Sequence, residues 1–388
     1  MTDRLKIGVA GGGLIAQVEH IPNLLALGHL FELTAVSDPS PAVRAGITDR
    51  FGVATVPRAE ELLGLGLDAL VIAAPDPWHA ELAGLALKAG LHVLCEKPLC
   101  YGLAEIDALA AIRRRTGRVL QVGYMKRFDP AYEAAIDLVA GKGARLRYIS
   151  VEVNDPDAAP FTGHHRLTTA DDLPQALRDD TALRRREQVE AALGFAPQDT
   201  VFRGFASAYC SALVHDVNAV HGLLGAMDLV TGPVLGATIF AGGVGGQAAV
   251  QLRDGRALWT MTHVEIPAVP DYTERIALYF EDEIVELVFP APYLNHHPTR
   301  LTIRRGAAGG LETTTIRPNF EEAFQRELAG FWAAITGAAA PRNTLDEARR
   351  DQALLIDLAR HAETTARTAG LPPGGASDQA ARLGSGPT

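Results

Sequence analysis

This chain of 388 residues predicts a doubly wound parallel α/β sheet followed by an α+β domain with an open, mainly antiparallel sheet. Three observations carry that prediction. Strand-length aliphatic runs alternate with amphipathic helical runs over the first 125 residues. A glycine-rich turn joins the first such run to the next. Beyond about residue 128 the alternation gives way to short segments of period two. The length exceeds one ordinary core, so two domains are expected.

The elements follow in order. Leu5–Ala10 reads as a buried strand, and 14–27 has helical spacing. Residues 33–36 are strand-like and end at Ser37-Asp38, and 42–51 is helical. A strand at 69–73 runs into the turn Pro75-Asp76-Pro77, followed by a helix at 80–89 that stops at Gly90. Residues 91–94 form a strand, 104–115 a helix, and 119–122 the closing strand. We place the first domain at 1–125 and a substrate-binding and oligomerisation domain at 126–370. The latter opens with a helix at 130–140 and a strand at 146–153. Residues 155–200 are polar and charge-dense, with a helix near 171–193, and read as a lid-like insertion. Residues 211–224 are apolar and helical, 235–316 supply the antiparallel segments, and helices at 321–335 and 345–364 follow. Residues 371–388, rich in Gly, Pro, Ser and Ala, read as a disordered tail.

Composition narrows the function. The net charge of −10 argues against a nucleic-acid groove, which needs Lys and Arg to neutralise phosphates. Arg184-Arg185-Arg186 is offset by neighbouring acids and reads as a solvated helical face. Three cysteines without CxxC spacing fit a reduced, cytoplasmic protein. MTDRLK passes straight into a strand and is not read as a signal peptide. No apolar run reaches the roughly 20 residues of a membrane span.

Gly11-Gly12-Gly13-Leu14-Ile15-Ala16 fits GxGxxG/A at a strand-to-helix turn, the Rossmann dinucleotide fingerprint. Gly11 allows the tight turn, Gly13 lets backbone approach a pyrophosphate, and Ala16 permits close helix packing. The amides around Leu14 and Ile15 open the helix toward an anion. Asp38, 22 positions past Ala16, ends the second strand. A carboxylate there accepts from ribose hydroxyls and repels a 2′-phosphate, which favours NAD and leaves NADP possible. The same Asp also suits an Asp-Pro-Ser turn capping the next helix, and Arg44 would soften the preference if it reached the pocket.

Glu96-Lys97-Pro98 follows the strand at 91–94, at the sheet edge where ligands sit in open α/β folds. Lys97 there suits hydrogen bonding to a substrate hydroxyl, and Pro98 restricts the chain around it.

Four stretches together resemble the glucose–fructose oxidoreductase / inositol dehydrogenase / rhizopine catabolism (Gfo/Idh/MocA) family: IGVAGGGLIAQVEHIPNL, DALVIAAPDPWHAELAGLALKAGLHVLCEKPL, VGYMKRFDPAY and HDVNAVHGLLG. The resemblance is close over the first 135 residues and looser beyond. It implies a secondary alcohol/ketone oxidoreductase acting with NAD(P) on a sugar, cyclitol or glycoside, and a homodimer or homotetramer. It implies that Lys97 is the family's lysine and that Pro75, Trp78, His79 and Glu96 line the cofactor end of the cleft. It places His215 as the acid/base on a helix where the family commonly has Asp four residues earlier. This chain has Ser211 there, and Asp216 points about 100° away from His215 on an ideal helix. Ser211 can still hydrogen-bond a hydroxyl, and Tyr124 is a further proton carrier, with Tyr209 and His221 in reserve. His164-His165 and His296-His297 lack a ligand set, so no metal is expected.

Two other readings stand beside the dehydrogenase. A tightly held NAD could cycle through a transient ketone in an elimination or epimerisation, with the insertion recognising a larger glycoside. Alternatively, the Ser211 departure marks a non-catalytic cofactor-binding protein.

Overall fold

The computed structural model describes residues 4–253 and 255–368, so the expected tail at 371–388 lies outside the described residues. Six strands build the first sheet: β1 Leu5–Ala10, β2 Phe31–Ser37, β3 Ala54–Val56, β4 Ala69–Ile72, β5 His92–Glu96 and β6 Leu120–Gly123. Their order is β3-β2-β1-β4-β5-β6, all parallel. Order reverses between β1 and β4, so the carboxyl ends of these strands open the crevice where an α/β sheet binds ligands. The β4 side chains Ala69–Ile72 are all buried, as a strand covered by helices on both faces requires. β3 and the helix Ala59–Leu62 were not anticipated, because three and four residues are too few to show a period.

Local chemistry fixes the helix ends. Ser40 caps Pro41–Phe51 by accepting from Val43 N–H at 3.0 Å, with Pro41 in the first turn. Gly52 closes that helix at φ 68°, a conformation cheap only for glycine. Asp129 caps Pro130–Val139 by accepting from Ala131 and Tyr132 N–H.

The second sheet has eight strands: β7 Leu146–Asp155, β8 Thr231–Ile239, β9 Gly245–Leu252, β10 Leu258–Glu265, β11 Thr273–Phe280, β12 Glu283–Phe289, β13 Arg300–Ala307 and β14 Gly310–Ile316. Their order is β14-β13-β12-β11-β7-β10-β9-β8. Every pairing is antiparallel except β7 with β10. The buried side chains Val250, Trp259, Met261, Ile276 and Leu278 share a core with Leu355 and Leu358 of the helix Leu345–Thr368. Each such side chain contributes roughly 1.5–3 kcal/mol on burial. The helix Ala323–Thr336 returns to the first sheet, where Leu328 and Phe331 pack with Ile7, Val9 and Ile21. The two sheets are therefore tied by more than one passage of the chain, and the cleft lies between them.

Candidate active site

The glycine turn starts where β1 ends. Gly11 has φ 100°, and a Cβ on it would lie 2.4 Å from the Ala73 carbonyl oxygen, so only glycine fits against the end of β4. A Cβ on Gly12 would press into the Ile47 and Val43 side chains, and tightly against Asp38. Gly12 N–H donates to Asp38 Oδ2 at 2.9 Å, and Ser40 N–H to Asp38 Oδ1 at 2.8 Å. Burial raises the Asp38 pKa, against these bonds and the Arg44 charge, which lower it. The following helix begins as a π-helical turn, Ala16–His20, with no side chain capping it. Its first amides, from the Gly13–Leu14–Ile15 stretch, are left for an anion. A glycine at position 11 that no other residue could replace, an uncapped helix start and a carboxylate at the end of β2 fit a dinucleotide.

The second component is the turn after β5. Glu96 is buried and receives His20 Nε2 at 2.7 Å and the Lys97 backbone N–H at 3.2 Å. Burial pushes its pKa up, but the His20 bond and the charges of His20, Lys97 and His79 outweigh that and leave it below the ordinary value. The Lys97–Pro98 peptide is cis. His79 spans two turns, with Nδ1 2.8 Å from Pro98 O and Nε2 2.6 Å from Ala74 O. The ends of β4 and β5 are thus pinned together beside Lys97. Lys97 Nζ donates to Ser211 O at 2.7 Å, and burial lowers its pKa.

The third component is a helix with an unusual winding. Gly204–Leu213 is π-helical and continues into the α-helix Val214–Ala226. A π segment re-aims carbonyls and is common at functional sites. Here it presents the Ser211 carbonyl to Lys97, while the Ser211 hydroxyl donates back to Ala206 O at 3.1 Å. Ser211, Lys97 and His215 line one cleft of about 480 Å³ with Ile15, His79 and Glu96. Burial, then the charges of Lys126 and Lys97, hold the His215 pKa well below its usual value. The imidazole is therefore neutral at neutral pH, as a proton acceptor needs to be.

Several functional candidates had escaped the sequence. Lys126 and Glu274 line the same cleft and pair at 2.5 Å, both buried. Tyr272 donates its hydroxyl to Glu274 Oε2 at 2.8 Å. Asp216, buried beside Glu274, has its pKa pushed well up by burial and by that neighbouring carboxylate. Asp216 is thus biased toward its protonated form beside Glu274. The carboxylate that position 211 lacks is present in the cleft, but it comes from β11 instead. Asp76 also lines the cleft, its carboxylate held by the Tyr101 hydroxyl and by Arg185 at 2.6 Å.

Some expectations need correction. Trp78 is not among the residues lining the cleft that holds Lys97 and His215, and its indole packs against the helix Gln175–Leu193. Its Nε1–H donates to Thr181 at 3.1 Å and Arg184 stacks on its ring. Arg184 and Arg185 are therefore not a merely solvated face, since they pair with Glu81 and Asp76 and dock the helix Gln175–Leu193 onto the first domain. Tyr124 is not among the cleft-lining residues; it is buried with its ring edge-on to His215. Tyr209 is buried, with its hydroxyl donating to Thr238 O. His221 is paired with Asp351 at 2.5 Å in the core. His165 Nε2 lies 2.9 Å from the carbonyl of the cleft residue Tyr293. Among the described residues no cluster of His, Cys, Asp and Glu is arranged to hold a metal ion, and no helix is long and apolar enough to cross a membrane.

Comparison with known proteins agrees with this geometry. Residues 5–124 match the model of an oxidoreductase family with an NAD-binding Rossmann fold. Inositol 2-dehydrogenase 3 of Saccharopolyspora erythraea is 30% identical over 169 residues, 43% of this chain and 50% of that protein. A dTDP-3,4-didehydro-2,6-dideoxy-alpha-D-glucose 3-reductase of Streptomyces violaceoruber is 37% identical over 39% of this chain and 45% of that one. The chain thus spans about half the length of these relatives. The fold is shared more widely. The 3-ketoreductase KijD10 of Actinomadura kijaniata, solved with NADP and TDP-benzene, superposes with TM-score 0.70 at 23% identity, covering 92% of this chain and 98% of that one. UDP-N-acetylglucosamine 3-dehydrogenase GnnA of Acidithiobacillus ferrooxidans gives 0.69 at 20% identity, covering 94% and 99%.

Proposed function

We propose that this chain, whose residues 5–124 match an oxidoreductase family with an NAD-binding Rossmann fold, is a Gfo/Idh/MocA-type NAD(P)-dependent dehydrogenase or reductase acting on a secondary alcohol or ketone of a sugar, cyclitol or glycoside. The observation that carries the reading is the convergence of Lys97, from the first domain, and His215, from the second, in one cleft beside the dinucleotide turn.

The glycine turn at 11–13, the amides around Leu14 and Ile15, and Asp38 hold the dinucleotide, whose nicotinamide supplies a two-electron carrier when bound. His215, neutral because it is buried between two lysines, takes the hydroxyl proton during oxidation and returns it during reduction. Lys97 hydrogen-bonds the same substrate oxygen and stabilises the negative charge that develops there. The Ser211 carbonyl holds the Lys97 amine in place, and Glu96 anchors the backbone amide of the same residue. Glu274, braced by Lys126 and Tyr272, offers an acceptor to a further hydroxyl of a polyol. Asp38 favours NAD over NADP. We place the enzyme in the cytoplasm, as a homodimer or homotetramer.

The test is a panel of inositols, sugars, nucleotide sugars and glycosides, assayed with NAD, NADP and their reduced forms at the reduced-cofactor absorbance. Turnover of at least one polyol class supports the reading. Failure to bind either cofactor removes it.

One observation favours a second reading, in which the cofactor stays bound and the net reaction is non-redox. The 155–200 insertion closes on the glycine-turn helix, with Gln17 exchanging two hydrogen bonds with the Thr168 backbone at 2.8 and 3.0 Å. Cofactor retained through gel filtration, with turnover independent of added NAD, would select that reading.

A further inference from the structure

The insertion does more than border the substrate cleft. Its stretch 166–172 lies along the Pro41–Phe51 helix, with Arg166 paired to Asp49 and Thr168 against Gly46. At the start of that helix Asp172 Oδ2 accepts from Ala42 N–H at 2.9 Å, and Oδ1 accepts from the Ser40 hydroxyl. These are the donors a helix start offers to an anion, and a side chain from 130 positions away has taken them. The Asp38 carboxylate stands two residues earlier, bonded to Ser40 N–H. Arg44, one turn into the helix, is folded back so that its guanidinium donates to the carbonyls of Asp38 and Pro39 at 2.7 and 3.1 Å. Two carboxylates and one guanidinium therefore surround the end of β2.

We propose that Asp172 is a cofactor-selecting residue: the insertion carries its carboxylate onto the anion position beside Asp38, so that the chain takes a dinucleotide with a free ribose hydroxyl and rejects one bearing a 2′-phosphate. This rests on the proposed dinucleotide site. The physical reason is direct. A ribose seated on Asp38 places its 2′-substituent toward the start of the next helix. Unmodified ribose needs only acceptors there, whereas a phosphate needs the Ser40 hydroxyl, the Ala42 amide and Arg44 together. Asp172 occupies the first two and adds a like charge; Arg44 interacts electrostatically with both carboxylates. Selection would then depend on a segment outside the first domain, one that a motif search of that domain alone cannot see.

The test measures dissociation constants for NADH and NADPH by cofactor fluorescence, in the full chain. The variants are Asp172→Asn, which keeps the shape, and Asp172→Ala, which frees the donors. The expected result is an NADPH dissociation constant lowered on the order of tenfold by Asp172→Ala and less by Asp172→Asn, with NADH changed less than about twofold. The gain should shrink at high salt and vanish when Arg44→Ala is added. Unchanged NADPH binding, equal weakening of both cofactors, or a wild-type chain that already prefers NADPH would overturn the proposal. A wild-type chain that binds neither cofactor would overturn the dinucleotide site itself, and the selection with it.

Discussion

The Lys97 ammonium donates to the Ser211 carbonyl oxygen at 2.7 Å, joining the turn after β5 to the π-helical segment of the other domain. The bond spans the cleft, so an amine from one domain is aimed by the backbone of the other. Replacing Lys97 by Met keeps the length and removes the donors. Turnover should fall by roughly 10²–10⁴-fold while NADH affinity changes little. Steady-state kinetics beside a cofactor titration checks this, and equal losses in both would assign Lys97 to binding alone.

His215 sets the acid limb. Burial, then Lys126 and Lys97, depress its pKa well below the ordinary 6.5, so the imidazole remains a base as pH falls through that value. The kcat/KM for alcohol oxidation should stay level from neutrality down to pH 6.5 and decline only below it. His215→Asn should abolish that limb. A wild-type profile that breaks at or above 6.5 contradicts the assignment.

Asp216 and Glu274 are neighbouring carboxyls with different partners. Burial and the neighbouring Glu274 raise the Asp216 pKa and favour its protonated form, so Asp216→Asn should change stability by less than about 1 kcal/mol. Glu274 pairs with Lys126 at 2.5 Å, both buried. Glu274→Ala strands a buried ammonium and should cost about 3–5 kcal/mol. Urea unfolding of the two variants gives the comparison, and equal costs would mean the proton is not held on Asp216.

Glu19 makes stability fall with pH. Burial and the Glu322 charge raise its pKa to about 8, although Asn23 and Asn295 donate to it. A group raised this way stays protonated in the fold while the unfolded chain ionises from 4.5 upward. Its cost therefore grows between pH 4.5 and 8 and then levels off, with a slope of at most about 1.4 kcal/mol per pH unit. Glu19→Gln should lack that slope, so chemical unfolding at pH 5 and pH 8 should show a gap between the two proteins that widens with pH. Parallel curves would mean Glu19 is ionised in the fold.

How legible this was depends on how local each cause is. The strand Leu5–Ala10, the Gly11 turn and the Lys97 turn are decided within a few residues, by period and by a missing Cβ, and they read directly. The site's polar partners are not local. Lys126 and Glu274 meet across 148 positions, and neither lies in a motif of its own. A signal for Glu274 did exist: it shares the buried face of β11 with Ile276 and Leu278, and an acid on an apolar strand face asks for a buried partner. The contacts of Trp78 were not legible either, because they come from the helix Gln175–Leu193, about a hundred positions away. The π winding at Ser211 has no sequence signature we could read, so ideal helical spacing predicted which residues face the cleft but not the Lys97–Ser211 carbonyl bond.

The central claim is that the turn at 11–16 and Asp38 seat a nicotinamide dinucleotide. Calorimetric titration of the purified chain with NADH tests it most directly, with Gly11→Ala as the comparison, since a methyl there would lie 2.4 Å from the Ala73 carbonyl oxygen. We predict saturable single-site binding to the wild-type chain and none to the variant. Absence of binding to the wild type, or equal binding to both, would contradict the account.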